Sequence, residues 1–224
     1  MAHKAYRSAA GATQSGTLHS RTVSTNRTMN KKRNIGILIF DNAEVLDFAG
    51  PFEVFSVTSE LNNFEPFDVF TVGENLEPIS AVNGLSVNPK YDFKNCPNID
   101  ILIIAGGSGT RKLMDNKNVL DWVDKVHQKT ELTLSICSGA RLLGLLGLLD
   151  DKPYCTHHEV YEHMKEIVPN GKPQQEQRFI NAGRIYTSGG ISAGIDLSFH
   201  IVEEFLGEKT AKQTAAYMEY NRTN

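Results

Sequence analysis

Cys137 is the residue of this 224-residue chain that is best placed for covalent chemistry. It follows the apolar run 131–136, typical of a buried strand, and precedes the leucine-rich run 138–149, typical of a buried helix. With the small neighbours Ser138 and Gly139, this position fits a nucleophile elbow, in which a sharp turn presents the side chain. Its place at a helix N-terminus predicts a thiol pKa below the ordinary value of about 8.5. An inert buried cysteine is the alternative.

A glycine-rich turn at residues 106–109 follows another buried apolar run. Its glycines would let backbone N–H groups converge on a developing negative charge, as an oxyanion hole requires. A phosphate-binding loop is the competing interpretation, but the sequence contains neither G-x-x-x-x-G-K-[ST] nor G-x-G-x-x-G. Because ligands bind outside the carboxyl ends of parallel strands, we expect this turn and Cys137 to border one site.

Asp47 is the candidate acid, in the segment Glu44-Val-Leu-Asp-Phe-Ala-Gly-Pro51 after the first apolar run. A desolvated carboxyl beside a thiol can share or exchange its proton. Asp is equally a good helix N-cap, and the spacing alone leaves both interpretations open.

The elements that would position these residues alternate along the chain. Apolar runs predict buried strands at residues 34–40, 67–72, 99–105 and 131–136. Helical spacing predicts helices at 46–61, 111–129, 138–149, 157–168, 192–206 and 209–220, and turn signals predict hairpins around 83–84 and 181–183. This alternation indicates an α/β fold with a mostly parallel sheet and helices on both faces.

Composition bounds the remaining possibilities. With 40% apolar residues the chain suits one sizeable domain. No run approaches the ~20 apolar residues of a membrane span. The net charge of −3 favours neither nucleic acid nor membrane as a partner. Three cysteines indicate a reducing, cytoplasmic setting. Residues 1–33 carry seven Lys/Arg and no acid, which predicts a disordered basic leader (an extension or an organelle transit peptide) before a single domain at 34–224.

Six segments, in order along residues 34–206, resemble the ThiJ/PfpI superfamily, and within it the isonitrile hydratase branch and the amino-terminal domains of AraC-type regulators. The matching strings are Ile37-Leu-Ile-Phe-Asp41, Leu46-Asp-Phe-Ala-Gly-Pro-Phe-Glu-Val-Phe55, Ala105-Gly-Gly107, Ser135-Ile-Cys-Ser-Gly-Ala140, Thr156-His157 and Thr187-Ser-Gly-Gly-Ile-Ser-Ala-Gly-Ile-Asp196.

The resemblance implies a flavodoxin-like three-layer sandwich and a cysteine-dependent hydro-lyase that adds water to an isonitrile to give an N-substituted formamide. Cys137 would be the nucleophile, Asp47 its acid/base partner, and Ser138 a hydroxyl where isonitrile hydratase has threonine. The expected oxyanion and substrate-binding residues are Gly106, Gly107, Ser108, His157 and Ile191.

The same resemblance implies a small-molecule substrate, no cofactor or metal, and a homodimer. The cluster from His157 to His163 lacks H-E-x-x-H spacing, so a metal site is not expected there. Two alternatives remain: a non-catalytic small-molecule or redox-sensing domain, and glyoxalase or deglycase activity on 2-oxoaldehydes. Asp47, in place of the glutamate of other branches, disfavours the second alternative.

Overall fold

The computed structural model describes residues 31–222. Within that range the strands are β1 (Arg33–Leu38), β2 (Phe67–Gly73), β3 (Ile79–Ser80), β4 (Ser86–Val87), β5 (Tyr91–Asp92), β6 (Ile101–Ile104), β7 (Leu132–Ile136), β8 (Pro153–Tyr154), β9 (Lys172–Pro173), β10 (Phe179–Asn181) and β11 (Ile185–Ser188). The α-helices are α1 (Val45–Leu61), α2 (Thr110–Leu113), α3 (Lys117–His127), α4 (Ala140–Leu145), α5 (Tyr161–Ile167), α6 (Ala193–Leu206) and α7 (Glu208–Tyr217). The expected leader lies almost wholly outside the described residues.

The main sheet has seven strands in the order β10-β11-β7-β6-β1-β2-β5. All of its neighbouring pairs are parallel except β10 with β11. Two short pairs, β3 with β4 and β8 with β9, lie outside it. Since parallel strands share a direction, the carboxyl ends of β1, β6, β7 and β11 meet at one edge.

Helices cover both faces of this sheet, as the sequence predicts. Every residue of β6 and β7 is buried, which requires cover on each side. Helices α1, α6 and α7 pack against one another, while α2, α4 and α5 form a second connected group. The result is a three-layer α/β fold of the flavodoxin-like type.

One predicted helix is divided in two, and another ends earlier than predicted. The helix predicted at 111–129 is divided into α2 and α3 because the Asn116 side chain accepts hydrogen bonds from the Asn118 and Val119 N–H groups and so caps α3. The helix predicted at 138–149 ends at Leu145, where Gly147 adopts φ +71°.

The amino-terminal boundary also differs by a residue. Strand β1 begins at Arg33, one position before the predicted domain start, and its guanidinium bonds Glu131 at 3.1 Å. Lys31 bonds Asp100 at 2.5 Å and Glu131 at 3.2 Å. Residues from Lys31 onward therefore contribute to the folded domain.

Candidate active site

Four chain segments meet where β1, β6, β7 and β11 end. They are the first turn of α1, the turn at 106–109, the turn at 137–139 and the turn at 189–191. A fixed sheet edge of this kind holds side chains from distant parts of the chain at defined separations, which a catalytic site needs.

Cys137 occupies a strained turn directly after β7. Its φ of 55° lies in the left-handed region that non-glycine residues rarely adopt. Its N–H donates to the Gly189 carbonyl at 3.1 Å, and the Thr156 hydroxyl donates to its carbonyl at 2.7 Å. These two bonds hold the elbow, so the local geometry agrees with the nucleophile turn expected from the sequence.

Asp47 is directed at the same point and does not cap its helix. The N-cap position of α1 is Glu44, and Asp47 lies in the first turn with no solvent exposure. Its Oδ2 accepts the Gly106 N–H at 3.0 Å. A Cβ placed on Gly106 would lie 2.7 Å from both Asp47 Oδ2 and Cys137 Cβ, which shows how tightly the three residues approach. Of the two interpretations left open by the spacing, the structure supports a carboxyl beside the thiol.

The pKa of the Cys137 thiol differs from the value expected from the sequence. Burial first, and then the Asp47 charge, raise the pKa of the Cys137 thiol to about 12, against the lowering effect of the Ser138 N–H and hydroxyl. The predicted lowering of this pKa is therefore wrong: at 7% exposure, desolvation outweighs the turn's N–H groups.

Asp47 is shifted in the same direction for the same reason. Burial raises the pKa of its carboxyl to about 7, although the hydrogen bond from the Gly106 N–H lowers it. Cys137 and the Ile191 N–H also act on the carboxyl and lower its pKa. Near neutral pH the two side chains together therefore hold one to two protons.

The Ser138 hydroxyl connects the elbow to the glycine turn. It accepts the Gly107 N–H at 2.9 Å and donates to the Gly107 carbonyl at 3.0 Å. The Thr110 hydroxyl lies 3.2 Å from it. Because the Gly107 N–H is engaged by this hydroxyl, the Ser138 N–H beside the Cys137 sulfur is better placed than the Gly107 N–H to serve as an oxyanion donor.

A pocket of about 250 Å³ opens above Cys137. Besides Cys137, its lining includes five residues of the predicted site: Gly107, Ser108, Ser138, His157 and Ile191. Gly106 is not among the lining residues, because its N–H is bonded to Asp47 and its carbonyl accepts the Glu44 N–H. Gly106 is thereby a positioning residue for Asp47 rather than part of the pocket wall.

His157 and Ile191 line this pocket, and Gly190 lies behind the His157 ring. Ile191 adopts φ 53°, unusual for a β-branched residue, and is 39% exposed. A Cβ on Gly190 would approach the His157 ring to 2.2 Å, so the imidazole packs on the glycine. Burial lowers the pKa of His157, and the adjoining His158 lowers it further. His157 therefore presents a mainly neutral ring to the pocket.

Two arginines that line the pocket were missed in the sequence analysis. Arg141 lies in α4 with 3% exposure, and Arg111 lies in α2 and is exposed. The signal for Arg141 was available, since a single cation stands within an otherwise apolar run predicted to be buried on all sides.

The other cysteines lie away from this pocket's lining. Burial raises the pKa of the Cys155 thiol to about 11, and its sulfur lies 3.0 Å from the Thr187 carbonyl. Cys96 is partly buried in a loop, where burial also raises its pKa. Within residues 31–222, no three His, Cys, Asp or Glu side chains are grouped as metal ligands.

The chain's similarity to known proteins agrees with this geometry. Residues 33–204 match the DJ-1/PfpI family. The chain is 30% identical over 186 residues to isonitrile hydratase of Pseudomonas putida, covering 83% of this chain and 78% of that protein. It is 25% identical over 190 residues to the HTH-type transcriptional regulator GbdR of Pseudomonas aeruginosa, covering 85% of this chain but only about half of the regulator.

Solved structures give the same fold. A ThiJ/PfpI family protein from Pseudomonas syringae superposes with a TM-score of 0.77 at 22% identity, over 93% of this chain and 84% of that one. None of the helices that the structure describes has the length and apolar character of a membrane span.

Proposed function

The chain belongs to the DJ-1/PfpI family, and from this premise we propose that it is a cysteine-dependent hydro-lyase that adds water to an isonitrile or a similar small electrophile. The observation that carries the proposal is the pairing of Cys137, which lines the pocket on a strained turn, with the adjacent carboxyl of Asp47, which is fully buried outside the pocket lining. The similarity to isonitrile hydratase supports the substrate class.

The reaction forms and breaks one carbon–sulfur bond. The Cys137 sulfur bonds the terminal carbon of R–N≡C while that carbon receives a proton, which gives the thioimidate R–N=CH–S–Cys. Water then adds to the same carbon to give R–NH–CH(OH)–S–Cys. Cleavage of the C–S bond releases R–NH–CHO and restores the thiol. The net reaction therefore converts one isonitrile and one water to one N-substituted formamide.

Asp47 carries the proton between these steps. With a thiol pKa of about 12 and a carboxyl pKa of about 7, the free protein holds Cys137 as a thiol beside a readily protonated Asp47. Asp47 accepts the thiol proton as sulfur attacks and delivers it to the isonitrile carbon. It then takes a proton from the attacking water and passes it to the nitrogen, and it transfers the hydroxyl proton to sulfur as the C–S bond breaks. A carboxyl pKa near neutrality suits both directions of transfer.

Ser138 and the pocket wall assist these steps. The Ser138 N–H favours the charged form of the Cys137 sulfur as the proton leaves, while the Ser138 hydroxyl holds the glycine turn in place. His157 and Ile191 would bound the space for the R group. This scheme requires no metal or organic cofactor.

The test is turnover of cyclohexyl isocyanide by the purified protein, with N-cyclohexylformamide measured by gas chromatography. We expect product with the wild type and none above background with Cys137→Ala or Asp47→Asn. Cys155→Ala, which removes an equally buried thiol outside the pocket lining, is the control and keeps its activity. Equal product from wild type and Cys137→Ala would contradict the proposal.

A non-catalytic sensing domain is the second candidate function. It is favoured by the raised pKa of the Cys137 thiol and by the similarity to transcriptional regulators. Saturable binding of the isonitrile by calorimetry without formamide would support this candidate. Lactate formed from methylglyoxal would instead support glyoxalase activity, as the name of a Caenorhabditis elegans relative, 28% identical over 145 residues, suggests.

A further inference from the structure

Arg141 is a buried cation without a counter-charge. It is 3% exposed, and no Asp or Glu among residues 31–222 pairs with it. Its Nε donates to His163 Nδ1 at 3.1 Å and its Nη1 to the Thr110 hydroxyl at 2.9 Å, both uncharged acceptors, whereas its Nη2 has no partner among the described residues. Burying an ionised group is costly unless an opposite charge is present, so a bound anion would stabilise this arrangement.

Arg111 adds a second positive charge at the same side of the pocket. It lines the pocket with Arg141, and no ion pair or hydrogen bond holds its side chain to the described residues. Burial lowers the pKa of Arg141, and the Arg111 charge lowers it further, whereas Cys137 raises it. The two guanidinium groups therefore repel one another across a space that ends at the Cys137 sulfur.

The acidic residues of the pocket lie with His157 instead. Both Glu44 and Glu159 line the pocket, and their charges act on the pKa of His157. Glu159 has a 77% exposed side chain, so water screens its charge strongly. The pocket thus contains two arginines whose charges act on each other, and two acidic residues whose charges act on His157.

We propose that the substrate carries an anionic group, a carboxylate or a phosphate, which binds between Arg111 and Arg141 while its electrophilic carbon reaches Cys137. This inference rests on the proposed hydration for the identity of the electrophile, but the anion site itself does not. A guanidinium donates to carboxylate and phosphate oxygens in a fixed planar geometry, which would orient the substrate as well as bind it.

Alkylation of Cys137 tests the anion site without any turnover. Iodoacetate and iodoacetamide deliver similar groups to the sulfur, and only the first is an anion. Their ratio of rate constants at one pH is independent of the thiolate fraction. Labelling of each cysteine is measured by peptide mass spectrometry. We expect the ratio of the iodoacetate to the iodoacetamide rate constant to be at least about tenfold higher at Cys137 than at Cys96, and we expect added salt to reduce this difference.

Variants assign this preference to the two arginines. Arg111→Met, at an exposed position that the fold does not depend on, should lower the iodoacetate preference about tenfold. Arg141→Met should lower it further, and Arg141→Lys, which keeps the charge but loses the planar donors, should retain part of it. Lys112→Met removes the neighbouring charge outside this pocket and is the matched control, with no change expected. An equal ratio in wild type, Arg111→Met and Arg141→Lys would overturn the anion site.

Paired substrates connect the site to the reaction. Isocyanoacetate and its methyl ester differ in one charge, and hydration converts the acid to N-formylglycine. We expect Arg111→Met to raise KM for the acid about tenfold, with kcat and the KM of the ester little changed. Acetate and inorganic phosphate, tested as competitors of iodoacetate labelling, identify which anion fits better.

The outcomes separate the two proposals. An iodoacetate preference that depends on the arginines, without turnover of any isonitrile, would retain the anion site and reject the hydratase. Turnover of the ester with a KM at or below that of the acid would retain the hydratase and reject the anion site.

Discussion

At the scale of single residues, the chemistry of this protein depends on where one proton lies. Cys137 and Asp47 are both desolvated, so each favours its neutral form, and the charge on Asp47 further disfavours a thiolate. Such a pair titrates as a unit, and in the proposed reaction the state that reacts is the one holding a single proton. A buried carboxyl of this kind destabilises the fold when it ionises.

Replacing Asp47 by Asn should therefore stabilise the protein at neutral and alkaline pH. The folded-state pKa of about 7 lies above the ordinary value of 3.8, so the wild type loses folding free energy as pH rises between these values. Thermal unfolding should show a gain of roughly 1–3 kcal/mol for Asp47→Asn at about pH 8 and little gain at about pH 4. A variant that is less stable than wild type at about pH 8 would contradict a desolvated carboxylate.

At the scale of elements, the site exists because two glycines and an elbow let segments approach to van der Waals contact. The turn after β6 brings Gly106 against Asp47 and Cys137. A Cβ added to Gly139 would lie only 2.5 Å from the Ile104 carbonyl oxygen. Larger residues at these positions would separate the ends of β6 and β7.

Gly106→Ala should consequently abolish activity and lower stability. Its Cβ would meet Ser138 N at 2.6 Å, with Asp47 Oδ2 and Cys137 Cβ at 2.7 Å, and two of these are backbone or near-backbone atoms. We expect a loss of roughly 1–3 kcal/mol in urea unfolding together with lost turnover.

Gly189→Ala is the control for this substitution. It lies beside the same elbow, but its added Cβ would have no neighbour closer than 3.6 Å. We expect near wild-type stability and activity for this variant. Similar losses in both variants would contradict the close approach at Gly106.

The sequence predicted the elements that carry the site better than their ends. Apolar runs identified β1, β6 and β7 because these strands are buried on both faces, and the strand-to-helix position identified Cys137. The division between α2 and α3 was missed because side-chain capping by Asn116 interrupts a continuous helical pattern. The thiol pKa was missed because it depends on burial, which the spacing of residues does not report. Arg111 was missed because nothing in the sequence distinguishes it from other exposed cations, whereas Arg141 was recognisable as a lone cation in an apolar run.

At the scale of the whole molecule, ion pairs of residues that precede the predicted domain start stabilise the amino-terminal ends of the central strands. Arg33 is nearly buried, bonds Glu131 and lies 4.1 Å from the Phe205 ring centre. Lys31 bridges Asp100 and Glu131. These contacts join the start of β1 to the strands β6 and β7 that carry the site.

A chain that starts at Asn34 should be less stable than one that starts at Lys31. It loses the ion pairs of Lys31 and Arg33 and the packing of Arg33 on Phe205. We expect a difference of roughly 1–3 kcal/mol in chemical unfolding, with most of it from the nearly buried Arg33. Equal stabilities would place the domain boundary at residue 34, as the composition of the sequence predicted.

The pH dependence of kcat/KM for isonitrile hydration tests the shared proton of Cys137 and Asp47 most directly. The account predicts that kcat/KM rises as pH increases through about 7, where Asp47 loses its proton, and then stays level until the thiol itself ionises near 12. A rate that is flat through neutrality and increases only in the alkaline range of a lone thiol would contradict the account.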